Sequence, residues 1–143
     1  MFDFQSWLDR ITRSYIYLDF DSYAASVDFP FVLMTAGATF VLTSPNQLRE
    51  GFEQFTSTLR ALNASDVVSS ASALSPVGPE LLVGRYETSI LRDAVRLFDP
   101  VVSIVTLRRS GGIWKAISIA NTMTNNRWPI DLPRLKSAGA GGT

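Results

Sequence analysis

The chain has 143 residues, of which 46% are apolar and 18% are charged, and this composition is typical of a single globular domain. Its thirteen basic and thirteen acidic residues cancel, so the charge predicts neither a nucleic-acid partner nor an anionic-membrane partner. It contains no His and no Cys, which excludes Ser-His and Cys-His catalytic triads and the usual zinc sites. We therefore expect no metal and no cofactor, and the lack of cysteine favours a cytoplasmic protein.

Two further features of the sequence bear on membranes and secretion. The longest apolar run, residues 29–34, is far shorter than the roughly 20 residues that cross a bilayer. The first residues lack the basic and then apolar pattern of a signal peptide. We expect neither a membrane span nor a leader.

Two helical segments open the chain. Apolar side chains recur at three- and four-residue steps and predict an amphipathic helix over residues 3–16. Asp19 or Asp21 can then cap a short second helix that carries Tyr23. Both helices carry aromatic side chains that can turn towards a core.

The start of a third helix is marked by a capping pattern. Ser44 can serve as the N-cap, Pro45 suits the first helical position, and Gln47 completes a capping box. An apolar stripe follows at helical spacing. The sequence predicts a helix over residues 45–62.

The segments between and after these helices, up to residue 123, have the character of strands. Ser110-Gly111-Gly112 is typical of a hairpin turn. Either Tyr86 or its neighbours Arg85 and Glu87 can face inward, because a register slip of one residue exchanges the two faces. We predict strands over residues 29–34, 39–43, 67–76, 81–91, 101–108 and 113–123.

The last two predicted strands are apolar on both faces. An antiparallel sheet with one face in water should alternate between apolar and polar side chains. Because three helices can cover only one face, we predict that a second copy of the chain covers the other, giving a homodimer through the sheet.

We divide the chain into one domain over residues 1–125 and a tail over residues 126–143. Trp128-Pro129 and Leu132-Pro133 can pin the tail across the surface. The small residues at 137–143 predict a loose terminus.

The order helix, helix, hairpin, capped helix and then long antiparallel strands resembles the nuclear transport factor 2-like superfamily, in particular its SnoaL-like and ketosteroid-isomerase-like branch. The likeness covers residues 3–124. It implies an α+β cone in which three N-terminal helices lie over a curved, mostly antiparallel sheet. It is carried by Asp19-Phe-Asp-Ser-Tyr-Ala-Ala, Ser44-Pro-Asn-Gln-Leu-Arg and Gly111-Gly-Ile-Trp-Lys-Ala-Ile.

The resemblance also locates the positions that catalyse steroid isomerisation in that branch. The aspartate base corresponds to Thr35, the oxyanion-hole tyrosine to Ile11, and the oxyanion-hole aspartic acid to a position near Ser103. None of the three residue types is kept, and that chemistry needs a carboxylate and two donors. We assign no catalytic residue.

An apolar ligand pocket is expected at the mouth of the cone, because ligand sites are commonly concave and sparsely polar. Within it, Tyr15 can either offer a hydroxyl to a ligand or be an ordinary core-edge tyrosine. The residues predicted to line it are Trp7, Ile11, Tyr15, Phe31, Leu33, Thr35, Phe55, Tyr86 and Ser103.

Four charged side chains each have two possible roles. Arg85 and Glu87 can orient a polar ligand or form a solvated ion pair. Asp28 and Asp93 can be general bases in an apolar cleft, or loop and cap residues.

Three functions are compatible with this sequence. The first is a non-catalytic domain that binds an apolar small molecule. The second is an isomerase, cyclase or dehydratase that uses a pocket carboxylate with Tyr15. The third is a structural dimerisation module whose cone is filled by its own side chains. The residues favour the first, because no carboxylate can be assigned to the pocket.

Overall fold

The computed structural model describes residues 2–123 and 128–130. Within these residues, three helices and seven strands follow one another in nearly the predicted order. Among the described helices, none is long and apolar enough to cross a membrane. The elements are α1 (Phe4–Ile16), α2 (Phe20–Ala25), β1 (Val27–Met34), β2 (Thr39–Leu42), α3 (Pro45–Ala61), β3 (Asp66–Pro76), β4 (Leu81–Arg92), β5 (Val95–Arg96), β6 (Val101–Ser110) and β7 (Ile113–Asn121).

The helix starts follow from side-chain caps. Asp3 accepts a hydrogen bond from the Ser6 N–H at the start of α1, and Asp19 accepts one from the Ser22 N–H at the start of α2. Each cap satisfies an amide that would otherwise lack an acceptor.

Helix α3 begins as the sequence predicts, with one change in its capping contact. Ser44 is the N-cap and Pro45 occupies the first turn. The Gln47 side chain accepts the N–H of Thr43, one residue before the cap, at 2.6 Å. This contact ties the end of β2 to the start of α3.

The sheet has the strand order β2-β1-β7-β6-β4-β3, and β5 pairs with β4. All pairs are antiparallel except β1 with β7, which is parallel. Register shifts interrupt three of the pairings, and such bulges bend a sheet. The bent sheet forms the wall of the cone.

The three helices pack on the inner face of the sheet. The least exposed side chains of the core come from α1, α3, β1 and β6: Trp7, Leu8, Phe31, Leu48, Val105 and Leu107. A second cluster joins α3 to β3 and β4 around Leu59, Val67 and Ile90. The helices therefore close the cone along its length.

Strand β3 is the last strand of the sheet, and α1 contacts its backbone. The Gln5 amide nitrogen donates to the Ser69 carbonyl at 2.7 Å, and its oxygen accepts from the Ala71 N–H at 2.9 Å. The carboxamide thus bonds to β3 as the backbone of a further strand would.

The outer face of the sheet carries apolar side chains that no described helix covers. They include Met34, Val41, Val68 and Ile104, which is 40% exposed. Of the predicted tail, residues 128–130 are described, whereas Leu132-Pro133 and residues 137–143 lie outside the described residues.

Candidate functional site

Two adjoining cavities lie between the helices and the inner face of the sheet. The inner cavity encloses about 160 Å³ and is walled by α1, β4 and β6. The outer cavity encloses about 150 Å³ and lies beside α3 and residues 128 and 130. A space of about 150 Å³ can hold a benzene-sized molecule. The two cavities share six wall residues: Tyr15, Tyr23, Leu33, Phe55, Asn121 and Met123.

Aromatic rings form the wall on the helical side. The Tyr15 ring centre lies 4.7 Å from that of Phe55, edge to face, and 5.5 Å from that of Tyr23. The Tyr23 ring centre lies 5.1 Å from that of Phe52. Such pairs add stability beyond their buried area, and together they present a packed aromatic surface to the cavity.

The polar atoms of the cavity wall are mainly uncharged hydroxyls. The Tyr15 hydroxyl interacts with that of Tyr23, and the Tyr86 hydroxyl interacts with Ser103. These hydroxyls can offer a hydrogen bond to a ligand by rearranging their present partners.

The tyrosines of the cavity are held in the protonated form. Burial raises the pKa of Tyr15 well above its usual value, and it also raises the pKa of Tyr23. Burial raises the pKa of Tyr86 to about 12. At neutral pH the three side chains are therefore uncharged hydrogen-bonding groups.

The structure brings together six of the nine predicted pocket residues. Trp7 and Phe31, at 2% and 1% exposure, lie in the hydrophobic core and not in the cavity wall. Thr35 lies beyond the end of β1, where its N–H donates to the Ala38 carbonyl. The six residues that line the cavities are Ile11, Tyr15, Leu33, Phe55, Tyr86 and Ser103. A ligand-binding role for them stays a prediction.

The charged candidates lie away from the cavities. Arg85 and Glu87 form an ion pair at 3.5 Å on strand β4, opposite the face that carries Tyr86. Asp28 pairs with Arg108 at 3.2 Å. Asp93 lies in the turn between β4 and β5, with a φ of 50°.

The electrostatic character of the cavities follows from these placements. Among the described residues, the side chains that line them include no Asp, Glu, Lys or Arg. No group of three or more potential metal ligands occurs within the part of the chain that the structure describes. What these walls offer is apolar contact and neutral hydrogen bonds.

Two residues near position 130 form part of the wall of the outer cavity. Trp128 and Ile130 line it together with Gly51 of α3. The Trp128 Nε1 donates to Glu50 Oε1 at 3.2 Å, and its ring centre lies 6.0 Å from that of Phe40 on β2. The indole thus bridges α3 and β2 at the mouth of the cone.

Sequence reasoning missed several wall residues. Tyr23 and Asn121 line both cavities, and Trp128 lines the outer one. One available signal was Gly51, because glycine inside a well-patterned helix is unfavourable and often marks a close approach of another group.

A larger groove of about 1050 Å³ runs over the outer surface of α3. Its walls include Arg49, Glu50, Glu53 and Arg60, all of them exposed. Its walls mix these charged side chains with Leu18, Phe20 and Phe52, whereas the cone cavities have no charged wall residue among those described, so the cone is the better candidate for an apolar ligand.

Comparisons with solved structures identify the fold. No protein-family model and no curated protein sequence matches the chain. A domain of unknown function with a cystatin-like fold from Nostoc punctiforme aligns with a TM-score of 0.66 at 9% identity, over 82% of this chain and 73% of that one. A nuclear transport factor 2-like protein of unknown function from Pseudomonas putida gives 0.59 at 12% identity, over 89% and 92%.

A third solved structure carries a functional name. It is a protein from Novosphingobium aromaticivorans that is provisionally named an aromatic ring hydroxylase, with a TM-score of 0.56 at 15% identity, over 82% of this chain and 84% of that one. Identities this low show the fold alone. The chain has the cone-shaped α+β fold of cystatin-like and nuclear transport factor 2-like proteins, which confirms the predicted fold class.

Proposed function

We propose that this chain is a non-catalytic domain of the SnoaL-like type that binds a small, uncharged and mainly apolar molecule inside its cone. The observation that carries the proposal is the chemistry of the cavity walls, which combine aromatic rings with the neutral hydroxyls of Tyr15, Tyr23 and Tyr86. A charged ligand would lose its hydration in the cavity, and no oppositely charged side chain lines the described walls to compensate for that loss. A neutral ligand loses less hydration and gains apolar contacts with the walls. The proposal includes a cytoplasmic location, which the lack of cysteine supports.

The enzymatic alternative requires a carboxylate that acts with Tyr15. The two carboxylates that the sequence offers for this role, on Asp28 and Asp93, lie away from the cavities. The neighbour provisionally named an aromatic ring hydroxylase makes aromatic compounds a reasonable first ligand class for either function.

Calorimetric titration with phenol and benzoate at pH 7 tests the proposal. Phenol is neutral and benzoate is anionic, yet each carries one ring. We expect phenol to bind at least about tenfold more tightly than benzoate, since only benzoate must bury a charge. Equal or tighter benzoate binding would overturn the proposal, and conversion of the added compound would favour the enzymatic alternative.

A matched pair of variants identifies the cavity as the site. Tyr15→Phe removes a hydroxyl from the cavity wall, and we expect it to weaken phenol binding several-fold. Tyr17→Phe removes a hydroxyl that is exposed just past the end of the same helix, and it should leave binding unchanged. Equal effects of both variants would contradict binding in the cone.

The second part of the proposal is a homodimer formed through the outer face of the sheet. It is supported by the exposed apolar side chains of Met34, Val41, Val68 and Ile104. Light scattering should give the mass of two chains for the wild type and of one chain for Ile104→Glu. Val77→Glu, in the exposed turn after β3, is the control that should stay dimeric. A monomeric wild type would refute the dimer.

A further inference from the structure

We infer that Trp128 determines the size of the ligand that the cone accepts, so that a one-ring molecule fits beneath the indole and a two-ring molecule does not. The inference rests on the proposed binding function and adds a specificity-determining residue to it.

The indole of Trp128 occupies space that a side chain at position 51 would need. A Cβ added to Gly51 would lie 2.4 Å from Cη2 and 2.5 Å from Cζ2 of Trp128. Real carbon contacts begin at about 3.4 Å, so the ring fits here only because residue 51 is glycine. The ring thus lies directly against the backbone of α3.

Two further contacts hold the indole in this place. Glu50 accepts the indole N–H at 3.2 Å, and Phe40 packs on the ring from strand β2. Contacts with a helix, a carboxylate and a strand together give the indole one defined position at the mouth.

In that position the indole is a wall of the outer cavity, which encloses about 150 Å³ next to an inner cavity of about 160 Å³. Each space has the size that holds one benzene-like ring. Ligand sites for larger molecules enclose roughly 300–1,000 Å³. Removing the indole enlarges the outer space on the side that the indole now walls, where a second ring can then be placed.

The test compares phenol with 2-naphthol, which are both uncharged at pH 7 and differ by one fused ring. Kd values are measured by calorimetry for the wild type, Trp128→Ala and Gly51→Ala. Gly51→Ala keeps the indole in the chain but displaces it, so it serves as a second variant should Trp128→Ala fold poorly. Glu53→Ala, which removes an exposed side chain from the same helix, is the control.

We expect the wild type to prefer phenol, and we expect both cavity variants to shift the Kd ratio towards 2-naphthol by at least about tenfold. Glu53→Ala should keep the wild-type ratio. If the wild type binds phenol and neither variant changes the ratio by more than about twofold, Trp128 has no role in size selection and the binding function stands. If no form of the protein binds either compound, the proposed function itself fails and the inference fails with it.

Discussion

Gly51 and Trp128 should be coupled in stability even without a ligand. The perturbation is Gly51→Ala, made once in the wild type and once in a Trp128→Ala background. Alanine is favoured over glycine inside a helix by roughly 0.5–1 kcal/mol, so the substitution on its own should stabilise α3. With Trp128 present, the new methyl group would lie 2.4 Å from the indole and must displace it.

The cost of that displacement follows from the contacts of the indole. Losing the hydrogen bond to Glu50 costs about 1 kcal/mol. Exposing about 40–60 Å² of ring at roughly 25 cal/mol/Å² costs about 1 kcal/mol more. Against a helix gain of about 1 kcal/mol, Gly51→Ala should therefore destabilise the wild type by about 1 kcal/mol. In the Trp128→Ala background it should stabilise by about the same amount, which gives a coupling of about 2 kcal/mol.

Urea denaturation gives the free energy of unfolding of the wild type, the two single variants and the double variant. Circular dichroism is the signal of choice, because it does not depend on the tryptophan that is removed. The sign of the Gly51→Ala effect should reverse between the two backgrounds. A stabilisation of equal size in both would show that Trp128 does not lie against residue 51 in solution, and it would refute the packing described for the mouth of the cone.

Three other predictions address the cone and its walls. The free energy of unfolding of the wild type should fall as pH rises from 10 to 12, because tyrosine in the unfolded chain ionises near pH 10 while burial raises the pKa of Tyr86 to about 12. Tyr86→Phe should reduce that fall by roughly 1.4 kcal/mol per pH unit. An unchanged slope in urea titrations would contradict this. Gln5→Ala should cost about 1–2 kcal/mol, since it leaves two backbone groups of β3 without their side-chain partners, whereas a loss below about 0.5 kcal/mol in the same assay would argue against these bonds. Gly84→Ala should cost about 1–3 kcal/mol, because its Cβ would lie 2.6 Å from the buried Phe4 ring, and an unchanged Tm would exclude that contact.

The local elements could be predicted from sequence because their signals are local. Ser44 and Pro45 mark the start of α3, and periodic apolar residues mark its length, so the predicted 45–62 matches Pro45–Ala61. Strand β5 was missed because its two residues, Val95 and Arg96, are too few to show any period.

Long-range features could not be predicted in this way. The parallel pairing of β1 with β7 joins residues 86 to 89 positions apart in the sequence, and no turn residue specifies it. The inward direction of Tyr86 depends on the register between β4 and β6, which periodicity alone leaves open. Trp128 reaches the cone through contacts with Glu50 and Gly51 that are distant in sequence.

The contact between Gln5 and strand β3 affects how copies of the chain can assemble. An uncovered edge strand can pair with the same edge of another molecule, and repeated pairing of that kind builds open fibrils. Here the carboxamide occupies a carbonyl and an N–H of that edge, and the register shift between Ala71 and Ala73 interrupts the ladder just beyond them. Contact through the outer face of the sheet instead ends at two copies when it is two-fold symmetric. A glutamine on the first helix thus blocks one route to open-ended growth.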